Sequence, residues 1–88
     1  MNAYLVEFVG TLFFIFVIIS TYNPLAIGAA LAIAIYYGSP ISGGHFNPAV
    51  SVMMMSLGKL SQKDVIPYIV AQVAGGLAAI QLSKYVRL

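Results

Sequence analysis

Cysteine is absent from this chain of 88 residues, which excludes disulfides, thiolate metal sites and cysteine nucleophiles. Charge is scarce as well: Glu7 and Asp64 stand against Lys59, Lys63, Lys84 and Arg87. A net charge of +2 spread so thinly makes no nucleic-acid footprint, whatever the basic pI of about 9.1 suggests. His45 is the sole histidine and has no Cys, His or carboxylate beside it in sequence, so no metal or other cofactor is expected. The N-terminus lacks a basic n-region and a short apolar core ending at a small-residue cleavage site, so the first apolar segment is expected to stay in the mature protein.

What the chain does have is apolar surface. With 61% hydrophobic residues and a mean hydropathy of +0.98, it reads as a multi-pass integral membrane protein whose first partner is the lipid bilayer. A span needs about 20 apolar residues to cross about 30 Å of hydrocarbon. Three segments qualify, at about 3–22, 25–38 and 65–85, with Tyr22-Asn23-Pro24 as a tight turn between the first two. The second is expected to stop at Gly38-Ser39-Pro40. Pro67 is expected in the first turn of the third, where a missing N–H is harmless. Small residues recur at spacing four, Ala30-Ala34-Gly38 and Ala71-Gly75-Ala79, which lets helix backbones approach closely. Tyr22, Tyr36, Tyr37, Tyr68 and Tyr85 fall near span ends and read as interfacial aromatics.

Residues 39–57 break the pattern. Ser39-Pro40-Ile41-Ser42-Gly43-Gly44-His45-Phe46 is too irregular for a span, and Pro48 to Leu57 is long enough for only about half of one. Non-helical backbone at membrane depth is tolerated only where it is buried in protein or lines a watery cavity, so the segment predicts a re-entrant loop and half-helix. Asn is a good N-cap and Pro is preorganised at the first helical position, so Asn47-Pro48 predicts a helix start with free N–H groups and partial positive charge. That start is either an ordinary capped terminus or, at mid-membrane, a pore element disfavouring cations and protons. Met53, Met54 and Met55 on the half-helix read as packing residues. Glu7 is an ionisable group inside a span and needs partners in the protein interior.

Ser42-Gly43-Gly44-His45-Phe46-Asn47-Pro48-Ala49-Val50 resembles the first Asn-Pro-Ala loop of the aquaporin, or major intrinsic protein, family. Glu7-Phe8-Val9-Gly10-Thr11 with Phe14 is similar to its first helix, Gly28 to its second, and Ala71-Gln72 with Gly75 to its third. The resemblance covers essentially all 88 residues in the order of the family's N-terminal half. It implies an all-α membrane protein, a single aquaporin-like half-repeat over residues 1–88 with three transmembrane helices and one re-entrant half-helix. It further implies that the carbonyls of Gly43, Gly44 and His45 line a lumen, that Asn47 donates hydrogen bonds at its centre, and that Glu7 and Gln72, with Pro48 and Ala49, hold the loop. His45 has two readings, a loop-ordering side chain with one satisfied nitrogen or a direct lumen contact.

Two departures bear on selectivity. Val50 occupies the only position equivalent to the family's filter arginine, and Ile27 falls at the usual aromatic filter position of the second helix, which implies a wider opening suited to glycerol-sized solutes as well as water. The family's channel uses two inverted repeats, and one half cannot close a pore. Pairing with a second copy in the opposite orientation, or with a complementary half, is therefore expected. The basic residues, Lys59 and Lys63 on one side and Lys84 and Arg87 on the other, set no firm orientation. Arg87 reads as an interfacial anchor. The expected function is passive, non-enzymatic permeation of water or small neutral solutes. The alternatives are a non-conducting accessory subunit and a small proton-coupled dual-topology transporter using Glu7.

Overall fold

A computed structural model describes residues 2–86; Arg87 lies outside the described residues. Helix α1 spans Ala3–Thr21, α2 Pro24–Ser42, α3 Pro48–Ser56 and α4 Gln62–Ser83. At 1.5 Å per residue, α1 and α2 are about 28 Å long and α4 about 33 Å, enough to cross hydrocarbon, whereas α3 is about 14 Å. The protein is thus an integral membrane protein with three candidate spans and one short helix.

Local chemistry sets most of the boundaries. Asn2 caps α1 by accepting from the Leu5 N–H at 2.8 Å. Tyr22 closes α1 in the left-handed region (φ 47°) and Asn23 opens α2, its Oδ1 accepting from the N–H groups of Leu25 and Ala26 at 2.9 and 3.1 Å. Two residues therefore turn the chain through an antiparallel hairpin. Gly58 (φ 76°) ends α3 in a Schellman arrangement, with the Lys59 N–H on the Met54 carbonyl and the Gly58 N–H on that of Met55.

Two boundaries differ from the sequence expectation. Helix α2 continues to Ser42 through Pro40 at the cost of the hydrogen bond that an N–H there would give the Tyr36 carbonyl, and the left-handed Gly43 (φ 90°) performs the termination. Helix α4 begins at Gln62, where Asp64 in the first turn suits the positive end of the helix. Pro67 consequently sits inside the helix, not in its first turn.

Helix α1 is the central element. Helix α2 packs antiparallel on one side of it, α4 packs on the other, and α3 packs on α4, while α2 and α4 do not meet through their backbones. Tyr4 lies against Tyr68, and Phe8 and Leu12 against Gly75, so α1 and α4 run in the same direction. A Cβ on Gly75 would come within 2.5 Å of the Phe8 carbonyl oxygen, which is why this crossing requires glycine. The buried stripe of α2 is Ala30, Ala34, Gly38 and Ser42, the small-residue face read from the sequence. Large apolar side chains such as Leu25, Ile66, Val70 and Leu77 point outward, as expected where lipid is the solvent. Tyr22, Tyr36, Tyr37 and Tyr85 are exposed at helix ends, but Tyr68 is buried, and its reading as an interfacial aromatic is corrected.

Candidate functional site: a re-entrant loop tied to a buried carboxylate

Between α2 and α3 the chain has no regular structure from Gly43 to Asn47. Gly43 (φ 90°), Gly44 (φ 64°) and Phe46 (φ 53°) all adopt left-handed backbone. Gly44 has a second reason to be glycine, since a Cβ there would lie 3.2 Å from the Ile35 Cα. Phe46 is non-glycine and strained, and it is held by its side chain. The ring sits between Gly10 and Gly38, where any Cβ would come within 2.1 and 2.8 Å of it. Val6, Ala34 and Phe46 form the buried apolar cluster at that point.

Glu7 is fully buried and gathers the loop. Its Oε2 accepts from the Ser42 hydroxyl at 2.7 Å and the His45 N–H at 3.0 Å; its Oε1 accepts from the Phe46 N–H and the Gln72 side-chain amide, each at 2.8 Å. Four donors occupy the two oxygens, about the full capacity of a carboxylate. This satisfies a polar group that would be very costly unpaired at this depth. The Ser42 hydroxyl also accepts from the Gly44 N–H at 3.1 Å, and the Ser42 carbonyl accepts from the Tyr68 hydroxyl at 2.6 Å.

Ser51, one turn into α3, extends the knot. Gln72 Nε2 donates to Ser51 Oγ at 2.9 Å, and the same oxygen is hydrogen-bonded to His45 Nδ1, also 2.9 Å away. Two buried oxygens, Thr11 Oγ1 and Gln72 Oε1, have no partner among the described residues. Ser42, Ser51, Tyr68 and Phe46 were not singled out as site residues in the sequence. The available signal was Ser51, a small polar residue four positions after Asn47 on a helix otherwise too apolar to need one.

The opposite face of the loop is open. Asn47 caps α3 as its sequence predicts: Oδ1 accepts from the Ala49 N–H at 2.8 Å, and Pro48 takes the first helical position. The Asn47 Nδ2 has no partner among the described residues. Asn47 borders a cavity of about 310 Å³ between α2, the loop and α3, together with Gly43, Gly44, His45, Leu31, Ile35, Phe14, Val50 and Met54. Leu31 and Ile35 lie near the middle of α2 and Phe14 near the middle of α1, so Asn47 sits at about mid-span. The Gly43 carbonyl meets only the Ser39 hydroxyl at 3.5 Å, and the carbonyls of Gly44 and His45 receive no hydrogen bond among the described residues. Pro48 borders a second cavity with Thr11, Phe14, Gln72 and Gly76. Ile27 lies one turn before Leu31 on α2, half-buried and outside the first cavity. Of the three methionines expected to pack, Met54 faces the cavity and Met53 is exposed.

Comparison with known proteins agrees with this arrangement. The sequence pattern of the family described as major intrinsic protein matches residues 1–87. Glycerol uptake facilitator protein-like 6 of Lactiplantibacillus plantarum is 42% identical over 90% of this chain and 41% of its own length. Aquaporin-8 of Mus musculus is 42% identical over 93% of the chain and 36% of its own length. Aquaporin Z of Brucella melitensis is 53% identical over 62% of the chain and 24% of its own length. The chain thus spans about four-tenths or less of the curated relatives it matches. A buried first-helix carboxylate holding an irregular loop, an Asn-Pro helix start at mid-span and this likeness over nearly every residue lead to one assignment: the chain belongs to the major intrinsic protein family of membrane channels, which are not enzymes.

Proposed function

We propose that this chain supplies one half of the wall of a passive conduit for water or small uncharged solutes such as glycerol. One observation carries the reading: at mid-span, Asn47 Nδ2 and the carbonyls of Gly44 and His45 border a cavity without a protein partner. Unsatisfied backbone and amide groups at that depth are tolerated where water or a polar solute takes the place of a partner. The helix N-terminus at Pro48 adds a partial positive charge that disfavours cations. Names such as glycerol uptake facilitator and aquaporin among the relatives support this solute class, and aliphatic Ile27 and Val50 favour a wider opening. Closing the conduit requires a second half, either a copy of this chain in the opposite orientation or a complementary half-repeat, because among the described residues only α1, α2, the loop and α3 wall the loop's cavity.

The test is stopped-flow light scattering on vesicles reconstituted with this chain, with empty vesicles and Asn47→Leu as references. A rise in osmotic water or glycerol permeability that the substitution removes is the expected result. No rise from folded, inserted protein defeats self-pairing and favours the second reading, a half-repeat that packs with other membrane subunits; the open cavity is the observation behind that reading. Tags at the N-terminus on both sides of the membrane are expected under antiparallel self-pairing, and a single orientation would rule it out. Proton-coupled transport through Glu7 is disfavoured by geometry, since both carboxylate oxygens are occupied and the group is sealed from solvent.

A further inference from the structure

Helices α2 and α4 flank α1 without touching through their backbones, yet the re-entrant loop begins at the end of α2 and is held by Glu7 of α1, to which Gln72 of α4 also donates. Among the described residues, one hydrogen bond joins the two helices directly: the Tyr68 hydroxyl to the carbonyl of Ser42, at 2.6 Å. That carbonyl belongs to the last turn of α2, where carbonyls have no intrahelical donor. Tyr68 is 4% exposed, and its ring is wedged between two others: Tyr4 edge-on at 5.9 Å and His45 tilted at 5.1 Å. Tyr4 is fixed in turn from the end of the bundle, its hydroxyl donating to Asp64 Oδ1 at 2.6 Å. Asp64 and Tyr68 are four residues apart on α4 and so share one face of it. A continuous chain of contacts therefore runs from Asp64 through Tyr4 and Tyr68 to Ser42 and His45, the two ends of the segment whose middle is Gly43-Gly44.

We propose that Tyr68 is a positioning residue for the re-entrant loop: its hydroxyl sets where the loop leaves α2, and the Tyr4–Asp64 pair holds the Tyr68 ring in the pose that makes this possible. Glu7 gathers the loop's N–H groups, but it touches Ser42 only through the side chain. The direction of the Ser42 carbonyl, and with it the peptide plane leading into Gly43, is fixed from α4. The consequence for permeation rests on the reading of the cavity as a conduit; the positioning itself does not.

The experiment uses Tyr68→Phe, which keeps the ring and removes only the hydroxyl, with Tyr4→Phe as the second variant. Backbone amide signals of the wild type and both variants are compared by NMR in nanodiscs. In Tyr68→Phe, Gly43, Gly44 and Asn47 are expected to shift while Gly75 and Ala79 stay in place; Tyr4→Phe should move the same loop signals by less. Loss of one net hydrogen bond is expected to lower the equilibrium constant for the loop's native pose about fivefold. Unchanged loop signals in Tyr68→Phe overturn the positioning role, and loop shifts with Tyr68→Phe but none with Tyr4→Phe overturn the part given to Tyr4 and Asp64. Vesicle permeability then separates the two readings. If wild type conducts, Tyr68→Phe should change the water-to-glycerol ratio, and an unchanged ratio defeats the link to permeation. If wild type does not conduct, the conduit reading fails and the NMR comparison still decides the positioning role.

Discussion

The two faces of the re-entrant loop are built on opposite principles. On the face towards α1 and α4, the Ser42 hydroxyl, the N–H groups of His45 and Phe46 and the Gln72 amide all end on Glu7. On the other face, the Asn47 Nδ2 and the carbonyls of Gly44 and His45 have no partner among the described residues. A single loop thus separates its backbone N–H groups from its backbone carbonyls. One buried anion takes the N–H groups, and the backbone orientation this imposes turns carbonyls towards the cavity. The lesson is that a carboxylate in an apolar span can be a scaffold for exposing polar groups elsewhere, without meeting a solute itself.

Removing the anion should do the most damage. Glu7→Leu strands four donors, and each buried donor left unpaired costs about 1–3 kcal/mol. The expected outcome is loss of cooperative unfolding and of protease resistance in micelles; a variant with a wild-type thermal midpoint would break the comparison outright. Next in size is Gly75→Ala, which places a methyl against the Phe8 carbonyl and is expected to cost about 1–3 kcal/mol by overpacking the α1–α4 crossing that carries both Glu7 and Gln72. Denaturant titration measures it. On the open face the balance reverses: Asn47→Leu forfeits a helix cap, about 1 kcal/mol, and is expected to abolish the proposed permeability while leaving the fold intact. If stability collapsed as it should for Glu7→Leu, the two faces would not be separable. Smallest is Gly28→Ala, whose added methyl meets nothing within 4 Å; helix propensity predicts a gain of about 1 kcal/mol at most. A loss instead would show that a partner packs on that face.

The sequence made legible whatever depended on neighbours in the chain. Asn47-Pro48 reads as a capped helix start because cap and helix are contiguous, and Tyr22-Asn23-Pro24 reads as a turn for the same reason. The need of Glu7 for interior partners also follows from one residue in one span. What escaped was set by three-dimensional placement. Tyr68 has the composition of an interfacial aromatic, and only the parallel run of α1 and α4 brings its hydroxyl to Ser42. Phe46 carries no sign that its ring will fill a slot made by glycines on two different helices. The end of α2 was misplaced because Pro40 is a strong breaker in isolation, whereas here the helix runs on past it at the cost of one hydrogen bond and the left-handed Gly43 ends it.

The ties to Glu7 also impose a schedule on synthesis. Ser42 follows Glu7 by 35 residues and Gln72 by 65. At about 5–20 residues per second, the last ligand is made about 3–13 s after the carboxylate it completes. The early hairpin of α1 and α2 must therefore wait, with its acid incompletely coordinated, until α4 arrives, so entry into the membrane does not complete the loop's scaffold; α4 does, by closing around a residue made 65 positions earlier.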